Sequence, residues 1–281
     1  MTRLHLPAYK LRRRAIASVI LGGAFTLLLG PIAFVAVASF DYGERAYVVF
    51  PPEHVTLQAY WHIPGHYWQA LALSVEIALV CAVASCLIGI PAALGIVRSA
   101  IPWKAGALAL LRAPLQIPAV VAGVAFLQLY YHLGALTGWY GVNSFIGLAI
   151  AHIFAATPYV IGTLVSVLQR FDASLEEAAL SLGATTFGTL RQVTLPLLKP
   201  GLFAGALYAF MVSFGEVPMS VFLTGSRVVT FPVELFNAMQ FDFEPTILAV
   251  STLVILISIV VVTAVQRLIG LDMFVETGGV E

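Results

Sequence analysis

Long unbroken apolar runs alternate along this chain with short stretches that hold nearly all of its charge. Six runs stand out, at residues 15–40, 69–97, 113–133, 144–168, 201–223 and 246–266. A helix needs roughly 20 apolar residues to cross the hydrocarbon layer of a membrane, and every run reaches that length. None alternates polar with apolar positions, which excludes the strands of a transmembrane β-barrel. The pattern predicts an all-α integral membrane protein with six transmembrane helices in a single domain over residues 1–281. Between the fourth and fifth runs lies a polar connection, residues 169–200.

Composition agrees with lipid as the solvent. Of 281 residues, 60% are hydrophobic and 10% charged, and the mean hydropathy is +0.96; an ordinary soluble chain is about half apolar and about a quarter charged. The 14 basic and 14 acidic residues cancel, so no basic face is available for nucleic acid. Within the six runs Glu76 and Glu216 are the only Asp, Glu, Lys or Arg residues, and the other 26 fall between them.

Where the positive charges fall matters more than their sum. Arg3, Lys10, Arg12, Arg13, Arg14, Arg98, Lys104, Arg112, Arg170, Arg191, Lys199 and Arg267 share one side of the predicted topology, against Arg45 and Arg227 on the other. Lys and Arg near a span resist translocation, so both termini are expected to be cytoplasmic and residues 41–68 and 224–245 to face outward. A cleavable leader is a competing reading of the first run, because Ala36-Val37-Ala38 has the cleavage-site form. Its apolar stretch, however, exceeds the usual 7–15 residues of such a core.

Several residues look chemical in isolation. Cys81 and Cys86 stand about 140° apart around a helix and read as small packing residues. His62 and His66 have a metal-like spacing, but Pro64 and Gly65 break the helix that would align them, and the neighbouring Tyr60, Trp61, Tyr67 and Trp68 form an interfacial aromatic belt. No metal site is expected. His132 and His152 are the histidines within the runs, and no G-x-S-x-G accompanies them for a serine protease. The three lysines follow Tyr9, Trp103 and Leu198, so no Gly-Lys phosphate loop exists and the chain should be neither an ATPase nor another enzyme. Gly201 and Gly205 have the spacing that lets helices approach closely. Pro31, Pro91, Pro114, Pro118, Pro158 and Pro218 imply kinked or movable segments.

The 169–200 connection is the most specific feature. Ser174-Leu175-Glu176-Glu177 has capping-box spacing, with the Ser174 hydroxyl expected at the Glu177 N–H and the Glu177 carboxylate at the Ser174 N–H. The helix begun there runs through Ala178, Ala179, Leu180 and Leu182 and should stop at Gly183, which tolerates the left-handed conformation. A second short helix, about residues 186–193, is expected to be closed by Pro196. Two short helices with apolar surface on a cytosolic loop imply a partner. The sequence Glu177-Ala178-Ala179, three residues, Gly183, nine residues, Val193, one residue, Leu195-Pro196 closely resembles the E-A-A-x3-G-x9-I-x-L-P signature of bacterial ABC importer permeases. Val193 in place of Ile is its one departure.

The resemblance covers nearly the whole chain. It implies the inner membrane of a bacterium, a cytoplasmic ABC ATPase dimer that carries ATP and Mg, a second and related permease that completes the pore, and an external solute-binding protein. It also implies that Glu177, Ala178, Ala179, Leu182, Gly183 and Pro196 form a coupling helix and its turn, docked in a groove of the ATPase. No cofactor is expected in the chain itself, and lipid is its other partner.

Glu76, His152 and Glu216 are the ionisable groups set well inside the runs, each seven or eight residues from the predicted outer end, about 10–12 Å deep at 1.5 Å per residue. Intramembrane charges normally face a cavity or a partner. Glu76 and Glu216 are therefore expected to line a cation-accepting pathway with His152 nearby; a structural Glu–His hydrogen bond is the alternative. Ser213-Phe214-Gly215-Glu216 and Phe222-Leu223-Thr224-Gly225 resemble polyamine-importer permeases, which often carry an acidic residue where this chain has Gly215. A spermidine or putrescine importer is the implied function. An importer for an aminophosphonate, iron, sulfate or another organic ion would have a similar permease. A secondary transporter would show inverted repeats, and no convincing repeat is present.

Overall fold

The computed structural model describes residues 8–41, 48, 50–100, 102–241 and 246–269; Arg3 and Arg45, used above for orientation, lie outside these. The described chain is built of helices: α1 (Ala8–Ala38), α2 (Gln58–Trp61), α3 (Gly65–Arg98), α4 (Lys104–Arg112), α5 (Ala119–Thr137), α6 (Phe145–Arg170), α7 (Ser174–Ser181), α8 (Thr186–Thr189), α9 (Leu195–Phe214), α10 (Phe231–Phe241) and α11 (Thr246–Ile269). Five continuous helical stretches, Ile16–Ala38, Gly65–Arg98, Ala119–Thr137, Phe145–Arg170 and Thr186–Phe214, are long and apolar enough to cross a membrane. The sixth expected span corresponds to α11, whose 24 residues reach about 36 Å, although its described apolar stretch, Thr246–Val261, is shorter. The chain is a multi-pass membrane protein.

The helix limits follow from local chemistry. Ser144 caps α6 by accepting a hydrogen bond from the Gly147 N–H at 3.1 Å, which satisfies one of the free donors of the first turn. The third span starts later than the hydropathy suggests. Pro114 lies in a 3₁₀ turn, Ala113–Gln116, and Pro118 forces Ile117 into an extended conformation, so α5 begins at Ala119. Pro31, Pro91, Pro158 and Pro200 lie inside continuous helices.

The chain forms two compact units, one gathering Met1–Gly65 and Asn237–Glu281 and the other spanning His66–Phe236. In the first, α1 packs on α11 and α11 on α2. The segment after α1 is tied back on itself: Asp41 pairs with Val55 in an antiparallel bridge, Thr56 N–H donates to the Phe40 carbonyl at 2.8 Å, and the Ser39 and Tyr60 hydroxyls are 2.6 Å apart.

In the second unit α6 lies at the centre, with α9 packed along it. Lipid supplies no hydrophobic force between helices, so their association depends on close contact. Glycines provide it. A Cβ at Gly89 of α3 would lie 2.8 Å from Val160 Cγ1 on α6, and one at Gly201 of α9 would lie 2.6 Å from Val167 Cγ2. Gly205 faces Val160 as well, at 3.3 Å. Val160 thus fits between glycines of two neighbouring helices, and the Gly201–Gly205 spacing serves the close approach expected of it. Two apolar clusters fill the unit, one around Val160, Leu164, Leu168 and Ala209 and the other around Ile77, Tyr130, Leu148 and Met219.

Candidate functional site

The 169–200 connection folds as two short helices, with its caps placed differently from the expected ones. Ser174 is already the first residue of α7, so it cannot act as the cap, and the capping box with Glu177 does not form. The Glu177 N–H donates to the Ala173 carbonyl at 3.2 Å. The cap position falls on Ala173, whose methyl side chain has no acceptor to fill it; Asp172, one residue earlier, accepts from the Ser174 N–H at 3.0 Å. The Ser174 N–H and hydroxyl hold the Asp172 carboxyl below its ordinary pKa, since hydrogen bonds to a carboxylate favour its charged form.

The far end of α7 is as the sequence implies. Gly183 has φ +92°. Gly183 N–H donates to the Leu180 carbonyl at 3.0 Å and Ala184 N–H to Ala179 at 3.1 Å, the paired bonds of a Schellman turn. A Cβ on Gly183 would meet nothing within 4 Å; glycine is required there by conformation rather than by space. Around the turn Leu175 and Leu180 are exposed, Leu182 is 89% exposed and Phe187 71%. Glu177 and Ala178 are exposed and Ala179 is half-buried.

Pro196 does not close a second helix. The chain from Thr186 runs through α8 and a π turn, Leu190–Thr194, directly into α9. Leu195 N–H bonds to the carbonyl five residues back, at Leu190. This wider turn lets the helix accept a proline whose ring would otherwise strike the carbonyl four residues behind it.

Glu176 is a site residue that sequence reasoning did not single out. Its Oε2 lies 2.9 Å from Arg98 Nε at the end of α3, and its Oε1 accepts from the Thr194 hydroxyl at 2.7 Å. The Arg98 guanidinium lies 5.5 Å above the centre of the Phe171 ring. The signal was a lone Arg at a helix end and an acid in the loop, 78 positions apart in sequence.

Glu216 was expected inside the fifth span, but α9 ends at Phe214. Pro218 has no N–H to donate, and its ring would clash with the Phe214 carbonyl in a continuing helix. Glu216 therefore stands in a break, where its Oε1 accepts from the Met219 N–H at 2.7 Å, ahead of a 3₁₀ turn at Ser220–Phe222. His152 on α6 spans this break. Its Nδ1 is 2.8 Å from Ser213 Oγ on one side and its Nε2 2.9 Å from Ser220 Oγ on the other. The alternative reading, a structural Glu–His hydrogen bond, is not what forms at His152: both ring nitrogens face serines, and His152 is only 1% exposed.

The chain beyond the break is held as firmly. Asn143 Oδ1 accepts from the N–H groups of Arg227 at 3.1 Å and Val228 at 3.0 Å. The Asn143 N–H donates to the Leu223 carbonyl at 2.8 Å. Asn143 does this with φ +53°, a conformation that Asn tolerates better than most residues. Ser74 Oγ on α3 accepts from the Phe231 N–H at 2.7 Å. Two residues further along α3, Glu76 is exposed on the helix surface. It lies 11 residues from the start of α3, about 16 Å along the helix axis. His62 Nδ1 is 2.9 Å from the Gln58 carbonyl and His66 Nε2 3.5 Å from Glu234; Cys81 and Cys86 are free thiols.

Residues 19–275 match the family described as binding-protein-dependent transport system inner membrane component. The putrescine transport system permease protein PotI of Escherichia coli (strain K12) is 30% identical over 246 residues, 84% of this chain and 84% of that protein. The spermidine/putrescine transport system permease protein PotC of Shigella flexneri is 31% identical over 211 residues, 75% of this chain and 77% of its own length. A bacterial ABC transporter involved in import of the acidic polysaccharide alginate contains a chain of the same fold, with a TM-score of 0.74 at 18% identity, covering 95% of this chain and 99% of that one.

Proposed function

We propose, from the premise that this chain belongs to the family of binding-protein-dependent transport system inner membrane components, that it is the permease subunit of an ATP-driven importer of polyamines. The observation that carries the reading is the α7 turn. A Schellman stop at Gly183 presents Leu175, Leu180, Leu182 and Phe187 to solvent, an apolar surface that water disfavours and a partner would cover. The partner is a cytoplasmic ABC ATPase dimer, which handles ATP and Mg; Glu177, Ala178, Ala179, Leu182 and Gly183 form the contact, and Pro196 sits where the loop enters α9. A second permease completes the pathway and an external binding protein delivers the solute.

Putrescine and spermidine as solutes are supported by the names of the relatives and by the intramembrane acids. A carboxylate exposed on a membrane helix is costly against hydrocarbon, so Glu76 faces the pathway or the second permease. Glu216, in the break, lines the same pathway, and His152 fixes the break through Ser213 and Ser220. ATP-driven closure of the ATPase would move α7 and switch the pathway between inward-facing and outward-facing states.

The test is retention of the ATPase. The tagged chain, purified in mild detergent from its own membranes, should carry an ATPase with it, and Leu182→Glu, a change at an 89% exposed position, should reduce retention and putrescine uptake at least fivefold. A wild-type chain that never retains an ATPase overturns the importer reading.

A further inference from the structure

The α7 helix buries none of its residues, yet a coupling helix has to pass force to the spans. Its Glu176 is where neighbouring elements meet. Arg98 Nε reaches Glu176 Oε2 at 2.9 Å from the last residue of α3. The Thr194 hydroxyl reaches Oε1 at 2.7 Å from the root of α9, and Thr194 is itself buried. Phe171, just past the end of α6, lies under the Arg98 guanidinium at 5.5 Å. The carboxylate is mostly withdrawn from solvent, with 18% of the Glu176 side chain and 29% of Arg98 exposed. Charge-assisted hydrogen bonds of this length are among the strongest side-chain contacts, and partial burial spares them much of the screening that weakens a surface pair.

We infer that Glu176 is a positioning residue: with Arg98 and Thr194 it forms the strut that makes α7 move as one body with α3 and the root of α9. Without the strut α7 would pivot on its flanking loops and absorb the displacement of a docked partner. Glu177, one position on, is exposed and free to meet that partner. The inference deepens the permease reading and rests on it for what moves α7, but the rigidity of α7 can be read without any ATPase.

The experiment therefore has two readouts. Spin labels at Leu180 on α7 and Leu87 on α3, both exposed, are placed in a chain whose Cys81 and Cys86 have been replaced, and their separation is measured in the purified protein. The wild-type background should give one narrow distance distribution, Glu176→Gln and Arg98→Gln one at least twice as wide, and the exchange Arg98→Glu with Glu176→Arg a partial return. In the reconstituted complex, solute moved per ATP hydrolysed should fall about fivefold in each single variant and recover partly in the exchange. ATPase retention should stay at the wild-type level, which separates loss of coupling from loss of assembly. Unchanged distance widths in both single variants, or an exchange no better than either, overturns the strut. Failure of the wild-type chain to retain an ATPase overturns the permease reading instead, and the distance widths still decide the strut.

Discussion

At the scale of single residues, the hydrogen bond of Glu216 and the pathway role proposed for it can be separated by one substitution. Glu216 Oε1 accepts from the Met219 N–H, and the proposed pathway would use the Glu216 charge to meet a cation. Gln keeps the acceptor and removes the charge; Ala removes both. Glu216→Gln should leave the melting temperature of the detergent-solubilised protein within about 2 °C of wild type while lowering kcat/KM for putrescine uptake about tenfold. Glu216→Ala should in addition cost about 1–2 kcal/mol, the usual penalty for leaving a partly buried N–H without its partner. Wild-type uptake by Glu216→Gln would remove Glu216 from the pathway. The two intramembrane acids were legible in the sequence because charge in an apolar run is conspicuous. Their surroundings were not: the His152 bonds reach 61 and 68 positions along the chain, and no local pattern records which serine a histidine meets.

At the scale of elements, hydropathy located the spans but not all of their ends. An apolar count runs on past Phe214 because Val217, Met219 and Phe222 are apolar, whereas the backbone stops where Pro218 forbids the next turn. In the same way Ser174 had the right spacing for a cap but lies one step too far into α7, where its own N–H is held by Asp172. The Gly201–Gly205 pair was legible as a close approach, and its energetics can be measured. Gly201→Ala places a Cβ 2.6 Å from Val167 Cγ2, inside contact distance, while at Gly205 the nearest atom is 3.3 Å away. Overpacking of this kind costs about 1–3 kcal/mol. Thermal unfolding in detergent should therefore rank wild type above Gly205→Ala and Gly205→Ala above Gly201→Ala, and Val167→Ala added to Gly201→Ala should restore at least half the loss. A larger penalty at Gly205, or no rescue, would mean that α9 and α6 relax apart rather than being fixed by these contacts.

At the scale of the whole molecule, fourteen positive charges balance fourteen negative ones, yet the positive charges are distributed with a strong bias. Orientation is a property of the complete chain in a membrane, since each span only inverts the one before it; twelve positives on one side against two on the other should act together to keep that side in the cytoplasm. The coupling turn and the Asn143-clamped segment must then lie on opposite sides. Ser181 at the end of α7 and Ser226 beside Arg227 are both exposed, so each can carry a single cysteine in a chain whose Cys81 and Cys86 have been replaced. A membrane-impermeant maleimide added to cells with a permeabilised outer membrane should label Ser226→Cys at once and Ser181→Cys only after the inner membrane is opened. The reverse pattern would place α7 outside, away from ATP, and no ATPase could then dock on it. Labelling of both positions from one side would require an odd number of crossings between Ser181 and Ser226 to be wrong, although the continuous helix Thr186–Phe214 lies between them. The accessibility of two serines thus tests the charge rule, the crossing by α9 and the placement of the coupling surface together.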